Sequence, residues 1–160
     1  MSDIYFDESI ILFDLEGKSK EEVLTKIGNN LIEKNLVKEG FIDAIIKRES
    51  EYATGLPTKG VSVAIPHTDV EYVNRKTISV AVLKEPVDFG IMGEPKATIP
   101  IKLVFLLAMD EEHSQLSLLQ KLMEMFQDED TLKYLINENN KTKIKNLLES
   151  KLAFAFEGEE

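Results

Sequence analysis

The most apolar run in the chain, residues 101–108, constrains the possible fold more than any other stretch. Its sequence, Ile-Lys-Leu-Val-Phe-Leu-Leu-Ala, is typical of a central strand that is buried on both faces and covered by helices. Predicted helices and strands alternate along the rest of the chain. We therefore expect an α/β fold with a central mixed, largely parallel sheet flanked by helices. The length of 160 residues suits a single domain with bounds 1–160.

Three further strands are predicted from short apolar segments. Residues 10–13 have the composition of an edge strand, residues 60–65 that of a buried strand, and residues 77–83 are rich in β-forming side chains. Two glycines and two prolines between residues 86 and 95 predict a long irregular connection, with a short pairing around residues 87–89.

Five helices are predicted from apolar residues at helical spacing. The first, at about residues 20–34, follows Ser19 and Glu22, which have the spacing of a capping box. Three others are predicted at about residues 41–52, from Asp128 or Asp130 to residue 135, and at about 142–152. The helix after the apolar run has a predicted core stripe of Leu116, Leu119, Leu122, Met123 and Phe126.

The composition excludes several functions. The chain has no cysteine, so it can form neither a disulfide nor a thiolate nucleophile or metal ligand. A net charge of −10 would repel nucleic acid and anionic membrane surfaces, so we expect no nucleic-acid partner. The apolar runs are too short to span a bilayer, and no charged-then-apolar leader precedes them. We therefore expect a cytoplasmic protein without direct membrane insertion.

The two histidines of the chain each follow a predicted strand. Pro66 ends the strand at residues 60–65, because its fixed φ and missing N–H turn the chain out of the sheet. His67 is therefore presented at the end of a strand, where α/β folds place their ligands. His113 follows the apolar run of residues 101–108 in the same way. The alternative for His67 is a turn histidine without any role, and the alternative for His113 is an N-terminal helix residue without any role.

Other chemistries lack their motifs. The sequence has no Gly-x-Ser-x-Gly elbow and no glycine-rich phosphate loop, so neither a serine hydrolase nor a nucleotide-binding protein is indicated. Zinc held by His67, His113 and a carboxylate stays open, although the usual zinc spacings are missing. A carboxylate pair for glycosidic chemistry also stays open, since the 29 acidic residues single out no pair. We expect no metal and no cofactor.

A histidine that acts as a nucleophile is a further possibility. A neutral imidazole can accept a phosphoryl group and pass it on. Phosphoryl transfer requires positioning and positive groups around the phosphoryl oxygens. Arg48, in the second predicted helix, is equally explained as an exposed cation at a helix end. The candidates for these tasks are Arg48, His113 and the hydroxyls of Thr54, Thr58, Ser62 and Thr68.

Four short segments carry a resemblance to a known family. They are, in chain order, Arg48-Glu49, Thr54-Gly55, Val63-Ala64-Ile65-Pro66-His67 and Glu112-His113-Ser114-Gln115. Their order and spacing resemble those of the fructose/mannitol-type enzyme IIA domains of the bacterial sugar phosphotransferase system, and the likeness covers nearly the whole chain. The segments Gly55-Leu56-Pro57-Thr58 and Pro66-His67-Thr68-Asp69 look most like the galactitol-type branch.

The resemblance implies a phosphoryl carrier and its partners. The phosphocarrier protein HPr would phosphorylate His67 on Nε2. A cysteine of a IIB component would then receive the phosphoryl group. The membrane component IIC would take up the sugar or polyol that becomes phosphorylated, and the resemblance to the galactitol-type branch implies galactitol. Arg48 and His113 would hold the phosphoryl group. The alternative is a phosphorylation-dependent regulatory protein of the nitrogen-related type.

The sequence departs from the family after the histidine. Thr68 and Asp69 stand where much of the family has a glycine directly after the histidine. Together with Thr54, these two residues are expected to surround the phosphate. Because a carboxylate close to a dianionic phosphoryl group is unfavourable, we expect Asp69 to accept a hydrogen bond from Nδ1 of His67 or from a backbone amide.

Overall fold

The computed structural model describes residues 4–58 and 60–152. Within these ranges it has five strands and five helices. Lys59 and both ends of the predicted domain of residues 1–160 lie outside the described residues. In chain order the elements are β1 (Ile11–Leu15), α1 (Lys20–Glu33), α2 (Phe41–Glu51), β2 (Gly55–Leu56), β3 (Val63–Ala64), β4 (Thr77–Ile91), β5 (Glu94–Ala108), α3 (Glu112–Met125), α4 (Glu129–Asn137) and α5 (Lys141–Lys151).

The strands form one mixed sheet, as the sequence predicts. β4 is parallel to β1 and antiparallel to β5. β3 is parallel to β5 and antiparallel to β2, and β2 is parallel to the far end of β4. Parallel pairings are therefore the more numerous, although the longest pairing, β4 with β5, is antiparallel. The expected α/β class with a central mixed sheet is confirmed.

β5 occupies the central position predicted for residues 101–108. It pairs with β4 on one side and with β3 on the other. Its side chains from Leu103 to Ala108 are at most 1% exposed. Burial of a large apolar side chain contributes about 1.5–3 kcal/mol, so this strand anchors the core. β1 pairs only with β4 among the described strands, which confirms its prediction as an edge strand.

The pairing predicted around residues 87–89 is confirmed, because Val87 to Phe89 pair with β5, but the prediction of an irregular connection around it is wrong. β4 continues to Ile91, and a two-residue turn at Met92 and Gly93 leads directly into β5. Pro86 is accommodated because the β4–β5 register shifts between residues 82 and 87, where no regular ladder bond is required of it. Gly93 has a φ of 80°, which only glycine adopts without strain.

Two predicted helix starts are confirmed, the first with only part of its predicted capping box. The hydroxyl of Ser19 accepts a hydrogen bond from the N–H of Glu22 at the start of α1, at 3.1 Å. Glu22 bonds the N–H of Lys18 rather than that of Ser19, so only half of the capping box forms. At α4 the cap is Asp128, which accepts from the N–H groups of Asp130 and Thr131. None of the described helices is both long and apolar enough to cross a bilayer.

The predicted core stripe of α3 is partly wrong. Leu122 and Phe126 are buried as expected and Leu119 is partly buried against the core, but Leu116 is 55% exposed and Met123 is 37% exposed. The buried residues of the helix are Leu118, Leu122 and Met125. Their spacing of four and three residues defines a helix face rotated from the predicted one. Both faces carry apolar residues at helical spacing, so the sequence did not distinguish them.

Candidate functional site

His67 lies at an edge of the sheet, where two parallel strands end side by side. β3 ends at Ala64, and Ala64 is paired with Val104 of β5. The carbonyl of Pro66 still accepts a hydrogen bond from the N–H of Leu107, at 2.9 Å. The chain therefore leaves the sheet at His67 from a backbone that is held by the central strand. The predicted placement of this histidine after a strand is confirmed.

The imidazole of His67 has a defined tautomer. Its Nδ1 lies 2.9 Å from the carbonyl oxygen of Ile65. A carbonyl can only accept, so Nδ1 carries the proton and donates it in this bond. The other nitrogen, Nε2, then holds the free lone pair. The ring is half-buried, so one nitrogen is fixed inside the protein and the other is the nucleophilic atom.

The surroundings of His67 favour its neutral form. Burial lowers the pKa of His67 below its usual value of 6.5, and the positive charge of Arg48 lowers it further. The hydrogen bond to the carbonyl of Ile65 acts in the opposite direction but does not outweigh burial. At neutral pH the ring is therefore uncharged and able to act as a nucleophile.

Arg48 is brought to His67 by the last turn of α2. Its guanidinium lies 4.5 Å from the centre of the Tyr52 ring, in a cation–π arrangement. Its positive charge lowers the pKa of His67, so the guanidinium lies within electrostatic range of the imidazole. Arg48 is only partly exposed, and the aromatic ring restricts where its guanidinium can point. A planar cation held next to a nucleophile is suited to bind the oxygens of an anionic group.

His113 reaches the same edge of the sheet by a different route. It is the second residue of α3, which begins shortly after β5 ends at Ala108. Since β3 and β5 are parallel neighbours, both histidines follow the carboxyl ends of adjacent strands. The side chain of His113 is exposed. The structure therefore places Arg48, His67 and His113 around one end of the sheet.

The hydroxyl of Thr54 has its partners inside the protein. Thr54 is 4% exposed, and its hydroxyl donates to Oε1 of Glu49 at 2.8 Å. The same hydroxyl accepts a hydrogen bond from the N–H of Ile65 at 3.2 Å. The hydroxyl of Thr58 likewise donates to the carbonyl of Val61. The Thr54 hydroxyl therefore supports the segment that leads to His67, and the Thr58 hydroxyl lies in the loop before β3.

The expectation that Asp69 bonds Nδ1 of His67 is wrong. Nδ1 donates to the carbonyl of Ile65 instead. Asp69 is exposed and precedes a short 3-10 turn at Val70–Tyr72, and at that turn its side chain makes no capping hydrogen bond. Thr68 is 7% exposed, so its side chain is turned into the protein. The carboxylate of Asp69 is thus directed to solvent, where water screens its charge.

Glu49 is a buried acidic residue that the sequence analysis did not assign to the site. It is 1% exposed and accepts both the N–H and the hydroxyl of Thr54, each at 2.8 Å. Burial raises the pKa of Glu49 to about 7, against the opposing effect of the two bonds from Thr54. The only sequence feature that could have assigned Glu49 to the site is its position directly after Arg48, since nothing in the sequence shows that it is buried.

The zinc alternative finds no support among the described residues. In that part of the chain no group of three or more histidine, aspartate or glutamate side chains is placed to hold a metal ion. Fold and site together define an α/β protein with an oriented, neutral histidine at the carboxyl edge of a mixed sheet and an arginine within electrostatic range of it. This is a class of site suited to a histidine nucleophile acting on an anionic group.

Comparison with known proteins identifies the family. The family described as "Phosphoenolpyruvate-dependent sugar phosphotransferase system, EIIA 2" matches residues 4–151. This chain therefore belongs to the EIIA components of the sugar phosphotransferase system, a family of phosphoryl carriers. The galactitol-specific EIIA component of Escherichia coli strain K12 is 30% identical over 117 residues, which are 73% of this chain and 77% of that protein.

Solved structures share the fold. The enzyme IIA of the mannitol system of Escherichia coli, in its complex with phosphorylated enzyme IIB, superposes with a TM-score of 0.73 at 21% identity. The match covers 94% of this chain and 98% of that one. The nitrogen regulatory protein IIA-Ntr of Neisseria meningitidis has a TM-score of 0.69 at 24% identity, with 89% and 94% covered. Transport and regulatory proteins therefore have the same fold, which does not separate the two functions.

Proposed function

We propose that this protein accepts a phosphoryl group on Nε2 of His67 and passes it to a second protein. The observation that carries the proposal is the hydrogen bond of 2.9 Å from Nδ1 of His67 to the carbonyl of Ile65. Because Nδ1 keeps its proton in that bond, the lone pair is on Nε2. Membership of the EIIA family supports a phosphoryl group as the ligand.

The transfer proceeds in two displacements at phosphorus. In the first, the lone pair of Nε2 attacks the phosphorus of the donor, and the bond from phosphorus to the donor atom breaks. The phosphorylated ring still carries its proton on Nδ1, so it is positively charged and a good leaving group. In the second, a thiolate of the acceptor attacks phosphorus, the bond to Nε2 breaks, and the lone pair returns to the ring.

Arg48 and His113 are the groups we assign to the phosphoryl oxygens. The charge of Arg48 acts on the imidazole of His67, and a guanidinium can donate two parallel hydrogen bonds to a phosphoryl group. His113 lies at the start of α3, where helix N–H groups also favour negative charge. Together they would offset the charge that collects on the equatorial oxygens during transfer.

We propose HPr as the donor and a IIB component as the acceptor, in the uptake of a sugar or polyol through a membrane IIC component. The likeness to the galactitol-specific EIIA component of Escherichia coli supports galactitol as the polyol. The fold is shared with a mannitol enzyme IIA solved in complex with phosphorylated IIB, which supports a IIB partner. The net charge of −10 favours partners with basic surfaces.

A second candidate function is regulation of another protein according to the phosphorylation state of His67. The nitrogen regulatory protein IIA-Ntr of Neisseria meningitidis has the same fold, so the fold is as compatible with this function as with transport. Both candidates require phosphorylation of His67, and they differ in whether the group moves on to IIB.

The experiment incubates the protein with labelled phospho-HPr, isolates it, and adds a galactitol-type IIB. We expect label on this protein that is stable in base and labile in acid, followed by its loss to IIB. Label that enters but stays after IIB is added would contradict the carrier function and favour the regulatory one. No labelling by phospho-HPr would contradict both.

A further inference from the structure

The buried carboxylate of Glu49 has no place in the transfer chemistry, yet it lies at the base of the site. It belongs to the same last turn of α2 as Arg48, but it is 1% exposed where Arg48 is partly exposed. Burying a carboxyl group is costly unless it receives hydrogen bonds. Glu49 receives two, both from Thr54, with donor–acceptor distances of 2.8 Å.

Thr54 connects Glu49 to the strand that carries His67. In the antiparallel pairing of β2 with β3, Gly55 is opposite Ala64, so Thr54 is opposite Ile65. At this position the hydroxyl of Thr54, rather than a backbone carbonyl, accepts the N–H of Ile65, at 3.2 Å. The hydroxyl can do so because its own proton is donated to Glu49.

Ile65 is therefore held on both sides of its α-carbon. Its N–H is bonded to Thr54, and its carbonyl receives the Nδ1 proton of His67 at 2.9 Å. The carbonyl direction sets the plane and the tautomer of the imidazole. A rotation of the Ile65 backbone would move that carbonyl and release Nδ1.

We infer that Glu49 is a positioning residue for phosphoryl transfer, acting through Thr54 and the backbone of Ile65 to hold His67 with Nε2 free. This inference rests on the proposed function of His67 and adds to it the residues that orient the ring. The end of α2 then performs two tasks. Arg48 supplies a cation whose charge acts on the imidazole, and Glu49 fixes the backbone to which the imidazole is hydrogen-bonded.

The test compares Thr54→Val with Thr54→Ser, which differ in whether the hydroxyl is present. The first readout is the tautomer of His67 in the unphosphorylated protein, from the ¹⁵N chemical shifts of its ring. The second is the initial rate of labelling by phospho-HPr. Thr54→Val should raise the population of the Nε2–H tautomer and slow labelling about tenfold. Thr54→Ser should restore both values to near those of the wild-type protein.

Glu49→Gln is the second variant, in case Thr54→Val does not fold. Glutamine has the shape of glutamate but a single acceptor oxygen, so one of the two bonds from Thr54 is lost. We expect a smaller change of tautomer and rate in the same direction. Circular dichroism and thermal unfolding establish that each variant is folded.

The outcomes separate this inference from the proposed function. A folded Thr54→Val or Glu49→Gln variant with the wild-type tautomer and labelling rate would overturn the positioning role, even if His67 is phosphorylated normally. Absence of labelling in the wild-type protein would overturn the proposed function instead, while the tautomer shift would still report whether Thr54 and Glu49 orient the ring.

Discussion

Nδ1 of His67 donates to the carbonyl oxygen of Ile65 at 2.9 Å, two residues earlier in the chain. The bond joins an imidazole to a backbone group next to Pro66, which has no N–H and a fixed φ. The orientation of the ring is thus built into a short local segment. That segment is anchored in turn by β5, through the N–H of Leu107, and by Thr54.

The pKa of His67 gives the first prediction. Burial and the charge of Arg48 lower this pKa, so the ring should titrate below 6.5. Between pH 6.5 and the lower pKa of the folded protein, His67 of the unfolded chain binds a proton that the imidazole of the native protein does not. The stability contributed by neutral His67 is therefore present above pH 6.5 and is lost as the pH falls through this window. NMR titration of the ring measures the midpoint, and a value at or above 6.5 would contradict the prediction.

Arg48→Ala should slow phosphorylation of His67 by about ten- to a hundredfold, because a charge-assisted contact is worth about 1.5–3 kcal/mol. The measurement is the initial rate of labelling by phospho-HPr. Arg75→Ala is a matched control, since Arg75 also lies over a tyrosine ring, 5.2 Å from the centre of Tyr5. We expect the wild-type rate for this control. Equal labelling rates for Arg48→Ala and Arg75→Ala would show that Arg48 does not take part in the transfer.

His113→Ala should also slow labelling by about ten- to a hundredfold and leave the fold intact. Its side chain is exposed, so its removal leaves no cavity in the core. Unfolding in urea, compared with that of the wild-type protein, verifies the second part. An unchanged labelling rate would mean that His113 does not contact the phosphoryl group.

The pKa of Glu49, raised to about 7 by burial, predicts a pH-dependent loss of stability. Between the ordinary value of 4.5 and about 7, the native state binds a proton that the unfolded state does not, so stability falls as the pH rises through this window. The loss is at most about 3 kcal/mol.

The check is the free energy of unfolding of the wild-type protein and of Glu49→Gln, measured at pH 4.5 and at pH 8. As the pH rises, the wild-type protein should lose stability relative to Glu49→Gln. A difference that stays constant over this range would show that Glu49 does not titrate there.

Gly55 sits where a side chain has no room. A Cβ at this position would overlap the carbonyl oxygen of Gly90 on β4. Gly55→Ala should therefore cost about 1–3 kcal/mol of unfolding free energy and disturb the adjacent Thr54. Gly40→Ala is the control, because Gly40 has a φ of −71°, which alanine adopts readily, and a Cβ there would meet only side-chain atoms of Tyr72, the nearest at 3.2 Å. A Gly55→Ala protein as stable as this control would contradict the close approach.

Features that depend on local composition could be predicted from the sequence. The central strand followed from the apolar run at residues 101–108, and the exit of His67 from the sheet followed from Pro66. The length of the β4–β5 hairpin could not be predicted, because proline and glycine, here Pro86 and Gly93, are also typical of loops. What makes Pro86 compatible with a strand is a register shift, which depends on the partner strand.

The hydrogen bonds between Glu49 and Thr54 that support the site could not be predicted either. Glu49 and Thr54 are close in sequence, but their contact depends on how the chain turns from α2 into β2. Acidic residues are rarely buried, so the composition favoured an exposed Glu49. Asp69 was expected, on electrostatic grounds, to accept a hydrogen bond from Nδ1 of His67 or from a backbone amide, whereas the backbone carbonyl of Ile65 accepts the bond from Nδ1.

The position of the phosphoryl group tests the central claim most directly. The protein is labelled by phospho-HPr and examined by ³¹P and ¹⁵N NMR, with His67→Ala and His113→Ala labelled in parallel. We predict a single phosphohistidine on Nε2 of His67, absent in His67→Ala and still formed, more slowly, in His113→Ala. Phosphorylation of Nδ1, or label that persists in His67→Ala and is lost in His113→Ala, would contradict the account.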